Sequence, residues 1–328
     1  MIRIGTLGAA RITPRALVYP IADEPKAMIQ SIAARDRSRA EGFAEHHNIP
    51  NVFDDYEDVI NDPKINAIYN PLPISAHHEW SIKALRAGKH VLCEKSLASN
   101  EREAREMADV ATETGLVLMD AFHYRYHPLF IRAKEIYDSG ELGDIHTVSA
   151  AFHVPVAADT GDIRMIYETG GGVTMDIGCY PLSWVRHITS EEPIDVEASA
   201  EVGPPNVDVV LQTKLTLPSG IKATTSGDMR GSAKFTANII VEGSRGTMTV
   251  NNPIVPQSGH SLDIRIDGSS RSEVFERRAT YGYQLDAFID AVLNGTTPYT
   301  SAEDAVRQMA LIDRCYEAAG LPIRGRDL

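Results

Sequence analysis

Short apolar segments alternate with amphipathic stretches over roughly the first 120 residues, and this alternation constrains the fold more than any other feature. It is the pattern of a parallel sheet whose strands are connected by helices. The predicted strands are residues 2–7, 27–34, 67–70, 91–93 and 116–119. The clearest predicted helices, residues 77–87 and 101–114, are followed by Gly88 and Gly115, where a left-handed residue commonly ends a helix. The sequence therefore predicts an α/β domain over residues 1–122.

The pattern changes after Phe122, where helices become scarce and apolar segments are separated by turns. The predicted strands include residues 209–217, 221–226 and 236–242, and the predicted helices are residues 129–138, 174–187, 283–293 and 302–319. Strands with few helices between them pair mostly antiparallel. Residues 123–328 are therefore predicted to form an α+β domain with a large, mostly antiparallel open sheet, whose C-terminal helices are able to pack back on the first domain.

Composition argues against several classes of function. The 328 residues carry a formal net charge of −13, and no segment concentrates enough Lys and Arg to neutralise a run of phosphates, so nucleic-acid binding is not expected. Cys93, Cys179 and Cys315 are widely spaced and lack metal-ligand spacing, which indicates reduced thiols. No apolar run reaches the length of about eighteen residues that spans a membrane, and the first strand follows Met1 directly. A cytoplasmic protein without a membrane partner is expected.

The turn after the first predicted strand has the features of a dinucleotide-binding loop. Gly8 stands where a tight turn between strand and helix needs a positive φ, and the small Ala10 would let the backbone approach a pyrophosphate. Thr13 followed by Pro14 predicts a helix cap with proline at the first helical position. Because Ala10 and Thr13 replace two glycines of the Rossmann fingerprint, a turn without a nucleotide is the alternative interpretation of this segment on its own.

The end of the second predicted strand bears on the choice of cofactor. An NAD-specific Rossmann site usually places Asp or Glu there to accept the ribose 2′-hydroxyl. Here the strand ends at Ala34 and Arg35, and a guanidinium suits the 2′-phosphate of NADP. NADP is therefore the predicted cofactor. NAD is the alternative if Asp36 occupies the strand end, and a solvated Arg35 without a ligand is the other interpretation.

A series of short motifs runs in order through nearly the whole chain. They are Asn70-Pro71-Leu72-Pro73, His77, Gly88-Lys89-His90-Val91, Glu94-Lys95, Tyr124-Arg125-Tyr126-His127-Pro128, Gly140-Glu141-Leu142-Gly143, Gly171-Gly172-Val173-Thr174-Met175-Asp176-Ile177-Gly178-Cys179-Tyr180-Pro181 and the helix around Gln284. Together they resemble the Gfo/Idh/MocA oxidoreductase family. The Asp-x-Gly-Cys-Tyr-Pro sequence around Tyr180 resembles that of one subgroup of the family. This subgroup contains the dimeric dihydrodiol dehydrogenases, glucose–fructose oxidoreductase and the xylose dehydrogenases. The resemblance implies a Rossmann domain followed by an α+β domain for substrate binding and oligomerisation.

The chain departs from that family in one motif. The family has Glu-Lys-Pro at the end of a strand, whereas this chain has Glu94-Lys95-Ser96. Proline restricts the conformation of the residue before it, so Ser96 removes a constraint from the Lys95 backbone. This departure keeps a non-catalytic protein among the alternatives.

The resemblance implies a catalytic role for three residues. Tyr180 would be the general acid/base, and Lys95 its electrostatic partner, because a nearby ammonium favours the phenolate of a tyrosine whose ordinary pKa is near 10. Asp176 lies four residues before Tyr180, on the same face of one predicted helix, where it could bind a substrate hydroxyl or orient Lys95. Without the resemblance, Tyr180 would be read as a half-buried structural tyrosine.

The remaining candidate residues surround this centre. The predicted cofactor-binding residues are Gly8, Ala10, Arg11, Ile12, Arg35, Pro71, Leu72, His77, Glu94 and Lys95. Arg164 and Tyr124 are predicted substrate contacts, with a surface arginine as the alternative for Arg164. No metal is expected, because His123, His127 and His153 lack the spacing of metal ligands.

The predicted activity is hydride transfer between NAD(P) and an aldose, a vicinal diol or a related alcohol. The alternatives are a glycosidase-like enzyme with tightly bound NAD and a non-catalytic NADP-binding sensor. The expected partners are a small sugar or diol substrate and a second copy of the chain. The resemblance implies a homodimer formed through the open face of the C-terminal sheet, with a higher oligomer as the alternative.

Overall fold

The computed structural model describes residues 1–157, 161–203 and 206–325. The chain forms two compact units. The first comprises Met1–His123 together with Tyr281–Val306, and the second comprises Tyr124–Thr280 together with Arg307–Leu328. Each unit therefore contains two separate stretches of the chain.

The first unit is built on a six-stranded parallel sheet. Its strands are β1 (Ile2–Leu7), β2 (Ala27–Ala33), β3 (Asn51–Val52), β4 (Ala67–Asn70), β5 (His90–Cys93) and β6 (Leu118–Asp120). They lie in the order β3-β2-β1-β4-β5-β6, and every pairing is parallel. The order reverses between β1 and β4, so their carboxyl ends flank the crevice where doubly wound sheets bind ligands. The predicted Rossmann architecture is confirmed.

Helices accompany the strands of both units. They are α1 (Tyr19–Ala22), α2 (Arg37–His47), α3 (Tyr56–Asn61), α4 (Ile74–Arg86), α5 (Glu101–Thr114), α6 (Pro128–Ser139), α7 (Cys179–Thr189), α8 (Thr280–Asn294) and α9 (Ala302–Ala318). Asn100 caps α5 by accepting a hydrogen bond from the Glu103 amide, and Gly115 ends it with a φ of 66°. Gly115 therefore ends the helix as predicted, and Asn100 supplies its N-terminal cap.

The later stretch of the first unit covers the outer edge of its sheet. The Asp120 amide donates to the Thr300 carbonyl oxygen at 3.0 Å, and the Thr300 hydroxyl donates back to the Asp120 carbonyl oxygen at 2.6 Å. Met119 also forms an antiparallel bridge with Ser301. The residues around Thr300 therefore satisfy backbone groups of β6 that an edge strand would otherwise expose.

The second unit is built on an eight-stranded sheet. Its strands are β7 (Ile145–His153), β8 (Asp195–Gly203), β9 (Val207–Thr216), β10 (Lys222–Asp228), β11 (Thr236–Gly243), β12 (Gly246–Asn251), β13 (Ser261–Ile266) and β14 (Ser269–Glu273). The order is β14-β13-β12-β11-β7-β10-β9-β8, and β7 with β10 is the parallel pair in an otherwise antiparallel sheet. Helix α7 packs on β7 and β10, and α6 packs on β12 and β13. The predicted mostly antiparallel sheet is confirmed.

The predicted helix at residues 174–187 is present, but it is not α-helical throughout. Thr174–Gly178 is a wider π-helical turn, and α7 begins at Cys179. The turn lies directly on β10, where a β-carbon on Gly227 would come within 3.0 Å of the Gly178 Cα. Local periodicity does not reveal this close backbone approach between a helix and a strand that is distant in sequence.

Candidate active site

The crevice of the first unit is formed by the turn after β1 and the loop after β4. Gly8 has a φ of +90°, and a β-carbon there would lie 3.3 Å from Leu72 Cδ2. The Gly8 amide donates to the Ala33 carbonyl oxygen at 2.7 Å, which ties the turn to the end of β2. Gly8 therefore has the backbone conformation and the close neighbours that a dinucleotide-binding turn requires.

The chain after this turn enters a helix without the predicted cap. Thr13 already has helical angles, its side chain makes no capping hydrogen bond, and its buried Oγ1 has no partner among the described residues. Thr13 precedes the helical turn and Pro14 begins it, as predicted, but the expected side-chain capping bond is absent because Thr13 itself has helical angles. Ala10 and Ile12 are half-buried and Arg11 is exposed, so all three predicted cofactor residues reach the surface of the unit.

Cationic side chains lie around the end of β2. Arg35 is exposed, and the Arg39 guanidinium, from α2, donates to the Ala9 carbonyl oxygen at 3.1 Å. Burial raises the pKa of Tyr56, while the positive charges of Arg35 and Arg39 oppose that shift. These contacts bring Arg35 and Arg39 close to the turn that carries Gly8. Sequence reasoning did not identify Arg39, although it lies only four residues beyond Arg35.

Asp36, the alternative ribose acceptor, caps helix α2. Its carboxylate accepts hydrogen bonds from the Ser38 amide at 3.0 Å and the Ser38 hydroxyl at 2.7 Å. These bonds cap the start of α2 and lower the pKa of the Asp36 carboxyl. The geometry therefore leaves an exposed guanidinium, and not a free carboxylate, at the strand end. A glycine turn, a small Ala10 and this guanidinium fit an NADP dinucleotide.

His77 connects the loops that follow β4 and β5. Its Nδ1 lies 2.9 Å from the Ser96 carbonyl oxygen and its Nε2 lies 2.7 Å from the Leu72 carbonyl oxygen. Burial lowers the pKa of His77 to about 4, so the ring is neutral at neutral pH and donates to one of the two carbonyls. It lies in the first turns of α4, which begins at Ile74. The His77 ring therefore holds the loop after β4 and the loop after β5 at a fixed distance from each other.

The protonation of His77 predicts a pH dependence of stability. Its folded pKa of about 4 is below the ordinary value of 6.5, so the unfolded chain binds this proton more tightly. Stability from His77 is complete above pH 6.5 and is lost as the pH falls toward 4. The free energy of unfolding of wild type should therefore fall by about 2 kcal/mol more than that of His77→Asn between pH 7 and pH 5. Urea unfolding at both pH values measures this, and parallel losses in the two proteins would contradict it.

Glu94 and Lys95 follow β5 directly. Glu94 is buried and its Oε1 accepts a hydrogen bond from the Tyr69 hydroxyl at 2.7 Å, whereas Lys95 is half-buried. The peptide bond between Lys95 and Ser96 is cis. Strand β6 places Asp120 beside this segment, in register with Cys93.

Asp120 is a residue that sequence reasoning missed. Burial raises the pKa of its carboxyl well above the ordinary value, with added effects of Asp304 and Glu94 and an opposing one of Lys95. The Asp120 Oδ1 atom is buried without a hydrogen-bond partner among the described residues. Asp120 ends the strand next to β5, and this position could have identified it from the sequence once the strand order was assumed.

Tyr180 stands in the first turn of α7 in the second unit. It is buried, and its ring meets the edge of Phe152 on β7 at a centroid distance of 5.5 Å, with Tyr124 at 6.1 Å and Trp184 at 6.2 Å. The glycine contact between the π-helical turn and β10 places the start of α7 against the sheet. The Tyr180 ring is therefore held by aromatic neighbours.

The structure brings Asp176 and Arg164 together. An Arg164 amino nitrogen lies 3.9 Å from Asp176 Oδ2, and the same guanidinium makes two hydrogen bonds to Asp162 at 2.9 and 2.6 Å. The Asp162 contact is the main reason that the pKa of Arg164 is raised. Both predicted residues are half-buried, so they combine a fixed position with access to solvent.

Tyr124 lies in the interior of the second unit. It is fully buried, and its hydroxyl oxygen is 2.7 Å from Ser183 Oγ and 2.8 Å from His187 Nδ1. A side chain in this position packs α7 against the chain that precedes α6. The structure therefore gives no support to Tyr124 as a substrate contact.

Within residues 1–157, 161–203 and 206–325, no group of three or more His, Cys, Asp or Glu side chains is arranged to hold a metal ion. In the same ranges, no helix combines the length and the apolar character needed to span a membrane.

Known proteins match both units. The sequence model of an oxidoreductase family with an NAD-binding Rossmann fold, Gfo/Idh/MocA, matches residues 2–122, and the model of a Gfo/Idh/MocA C-terminal domain matches residues 130–249. D-xylose 1-dehydrogenase (NADP(+)) 2 from Haloferax volcanii is 32% identical over 319 residues, which is 96% of each chain. Trans-1,2-dihydrobenzene-1,2-diol dehydrogenase from Xenopus laevis is 26% identical over 89% of this chain and 90% of its own.

A solved structure shows the same relationship. A 3-ketoreductase from Actinomadura kijaniata, crystallised with NADP and TDP-benzene, is 30% identical with a TM-score of 0.89 over 97% of both chains. The family resemblance indicated by the motifs is confirmed by the sequence identity, by the coverage and by the two matched domain models. The chain belongs to the Gfo/Idh/MocA family of NAD(P)-dependent oxidoreductases.

Proposed function

We propose that this protein is an NADP-dependent dehydrogenase that oxidises the C–OH group of an aldose or a vicinal diol, or reduces the corresponding carbonyl. The observation that carries the proposal is the place of each residue in its family motif. Lys95 directly follows β5 in the first unit, and Tyr180 lies at the start of α7 in the second. The relatives named for xylose, dihydrodiol and keto-sugar chemistry support this substrate class.

In this mechanism Tyr180 handles the substrate proton. Its phenolic oxygen takes the proton of the reacting hydroxyl during oxidation and returns it to the carbonyl oxygen during reduction. Lys95 is the electrostatic partner, because an ammonium stabilises the phenolate form. When NADP is bound, its nicotinamide accepts or donates the hydride. The dinucleotide would be held by the Gly8 turn, by Arg35 and by the loops that His77 braces.

We assign substrate binding to the charged pair of the second unit. Asp176 offers carboxylate oxygens to sugar hydroxyls, and Arg164 offers guanidinium donors while Asp162 holds it in place. Charge-assisted hydrogen bonds to several hydroxyls favour a polyol over a simple alcohol. This assignment predicts selectivity for substrates with neighbouring hydroxyl groups.

A panel of substrates tests the proposal. Aldoses, vicinal diols and simple alcohols are each incubated with NADP⁺ or NAD⁺, and reduced nicotinamide is measured by absorbance. We expect turnover with at least one aldose or diol and none with simple alcohols. Tight nucleotide binding without turnover on the panel, in either direction, would contradict the proposal and favour a sensor. Hydrolysis of a glycoside with no net cofactor reduction would favour the glycosidase-like alternative.

The choice of cofactor gives a second prediction. A charge-assisted bond from Arg35 to the 2′-phosphate is worth ~1.5–3 kcal/mol, or about 10- to 150-fold in affinity. Arg35→Ala should weaken NADP binding by about that factor and leave the Kd of NAD nearly unchanged. Titration calorimetry with both cofactors measures the four constants.

Arg37→Ala is the matched control for that prediction. Arg37 is exposed at the start of α2, two residues beyond Arg35, but its guanidinium is engaged by Glu41 and Asp54. The control should change neither Kd by more than about twofold. Equal weakening of NADP and NAD by Arg35→Ala would assign Arg35 to adenine stacking, and an unchanged preference would remove it from the phosphate site.

We also infer a homodimer formed through the uncovered face of the eight-stranded sheet. Helices α6 and α7 pack on one face, and the other presents polar side chains that include Ser149, Gln212, Thr224 and Asn238. The three cysteines are buried thiols outside any disulfide, which suits a reducing compartment such as the cytoplasm. Sedimentation equilibrium tests the dimer, and a monomer at micromolar concentration would contradict it.

A further inference from the structure

A buried ion pair in the second unit lies behind the segment that leads to Tyr180. Arg324, in the stretch after α9, donates from an amino nitrogen to Asp208 Oδ1 at 2.7 Å. The Arg324 side chain is 1% exposed and that of Asp208 is fully buried. A buried pair of this kind depends on good geometry, because each charge has lost its water.

Asp208 also contacts the segment that runs from Gly171 toward Tyr180. Its second oxygen, Oδ2, accepts hydrogen bonds from the Thr174 amide at 2.8 Å and from the Thr174 hydroxyl at 2.6 Å. Gly172 has a φ of +135°, and a β-carbon there would overlap Asp208 Oδ1. The carboxylate therefore lies directly against the backbone of residues 172–174 and bonds to it.

Arg324 contacts the same motif from another side. Its Nε donates to the Gly171 carbonyl oxygen at 3.1 Å. Its guanidinium carbon lies 4.3 Å from the ring centre of Tyr167 and 4.7 Å from that of Tyr316. A further amino nitrogen donates to the Pro322 carbonyl oxygen at 3.3 Å. Two aromatic rings and these three hydrogen-bond acceptors fix the plane of the guanidinium, which a lysine ammonium would not reproduce.

The segment that these contacts hold carries the proposed substrate and proton-transfer groups. Thr174 is the first residue of the π-helical turn, and Asp176 lies within that turn, with its amide donating to the Gly172 carbonyl oxygen at 3.0 Å. Helix α7, with Tyr180, continues from the turn without a break. A shift of residues 171–174 would therefore move both Asp176 and Tyr180.

We propose that Arg324 and Asp208 are positioning residues, which hold residues 171–174 and thereby set the positions of Asp176 and Tyr180. The name "Arg324 clamp" is used for Arg324, Asp208 and Thr174 together. The catalytic consequence of the clamp rests on the proposed function, whereas its hold on the backbone does not.

Arg324→Lys tests the clamp because it keeps the charge that Asp208 needs and removes the planar fork. We expect hydrogen exchange of the Thr174 and Asp176 amides to become about 10-fold faster. We expect kcat to fall by about 10- to 100-fold, the size of effect that misplaced reacting groups produce. The Kd of NADP should stay within about twofold of wild type, because the clamp lies in the second unit.

Arg132→Lys is the matched control. Arg132 on α6 makes a two-point contact with Glu273 of β14 in the same unit, and both residues lie outside the segment of residues 171–180. Neither kcat nor the exchange of the two amides should change in this control. Thr174→Val provides a second test if Arg324→Lys folds poorly, since it removes only one hydroxyl donor to Asp208. It should change both quantities in the same direction by about threefold.

The outcomes separate the clamp from the proposed function. A lower melting temperature of Arg324→Lys with unchanged amide exchange and unchanged kcat would overturn the clamp and leave a purely stabilising ion pair. Faster exchange with unchanged kcat would overturn the positioning of Asp176 and Tyr180. If wild type turned over no substrate, the proposed function would fail, and amide exchange would still decide whether Arg324 holds the segment.

Discussion

Tyr180→Phe is expected to lower kcat by roughly 10²–10⁴-fold, the usual loss when a general acid/base is removed. Phenylalanine keeps the ring contacts with Phe152, Tyr124 and Trp184, so the fold should be unchanged. The Kd of NADP should stay within about twofold of wild type. Steady-state kinetics on the substrate identified by the panel, together with cofactor titration, measure both quantities.

Tyr124→Phe is the control for that result. It removes a hydroxyl from a tyrosine that neighbours Tyr180, but this hydroxyl is buried against Ser183 and His187. The control should lower the melting temperature and leave kcat within a few-fold of wild type. Near-normal turnover of Tyr180→Phe, or an equal loss in Tyr124→Phe, would remove Tyr180 from the role of acid/base.

Lys95→Met is expected to lower kcat at neutral pH by roughly 10²-fold and to change its pH dependence. In the proposed mechanism the Lys95 ammonium favours the Tyr180 phenolate, so its removal should leave the phenol holding its proton more tightly. The rising limb of the kcat–pH profile for oxidation should therefore move to higher pH by about 1–3 units, and activity should partly recover at alkaline pH. Profiles of wild type and variant measured between about pH 6 and pH 10 show the shift.

Two comparisons complete the test of Lys95. Lys83→Met removes an exposed ammonium on α4 that pairs with Glu57 and Glu79, and it should leave the profile unchanged. The double variant Lys95→Met with Tyr180→Phe should be little worse than Tyr180→Phe alone, since residues that act as a unit are not additive. Additive losses in the double variant would show that Lys95 acts independently of Tyr180.

The architecture was predictable because its signals are local. Residues 2–7 form the predicted first strand. The predicted helix at residues 101–114 is present, and it ends at Gly115 as expected. The sequence order of strands and helices then restricted the first sheet to a small set of topologies. The antiparallel character of the second sheet followed from the scarcity of helices between its strands.

The parts of the site that escaped prediction depend on tertiary contacts. The π-helical turn before α7 requires the contact between Gly178 and Gly227, which are far apart in sequence. Arg39 lies beside the Gly8 turn through the packing of α2, and Asp120 lies beside the end of β5 through the pairing of β6 with β5. Tyr124 lies in a motif that matches the family, but its burial was not visible from spacing. The residue types in the motifs indicated the kind of chemistry, whereas the positions of these side chains could be found only from the folded structure.

The return of the chain to cover β6 has a consequence during protein synthesis. Thr300 and Ser301, which occupy the edge of that strand, are separated from it by about 180 residues. At ~5–20 residues per second, the ribosome needs about 9–36 s to synthesise that stretch. During this interval the nascent first unit has a parallel sheet with one uncovered edge, which is a template for pairing with other chains. Binding of a chaperone to the nascent chain should therefore continue until the residues around Thr300 leave the exit tunnel.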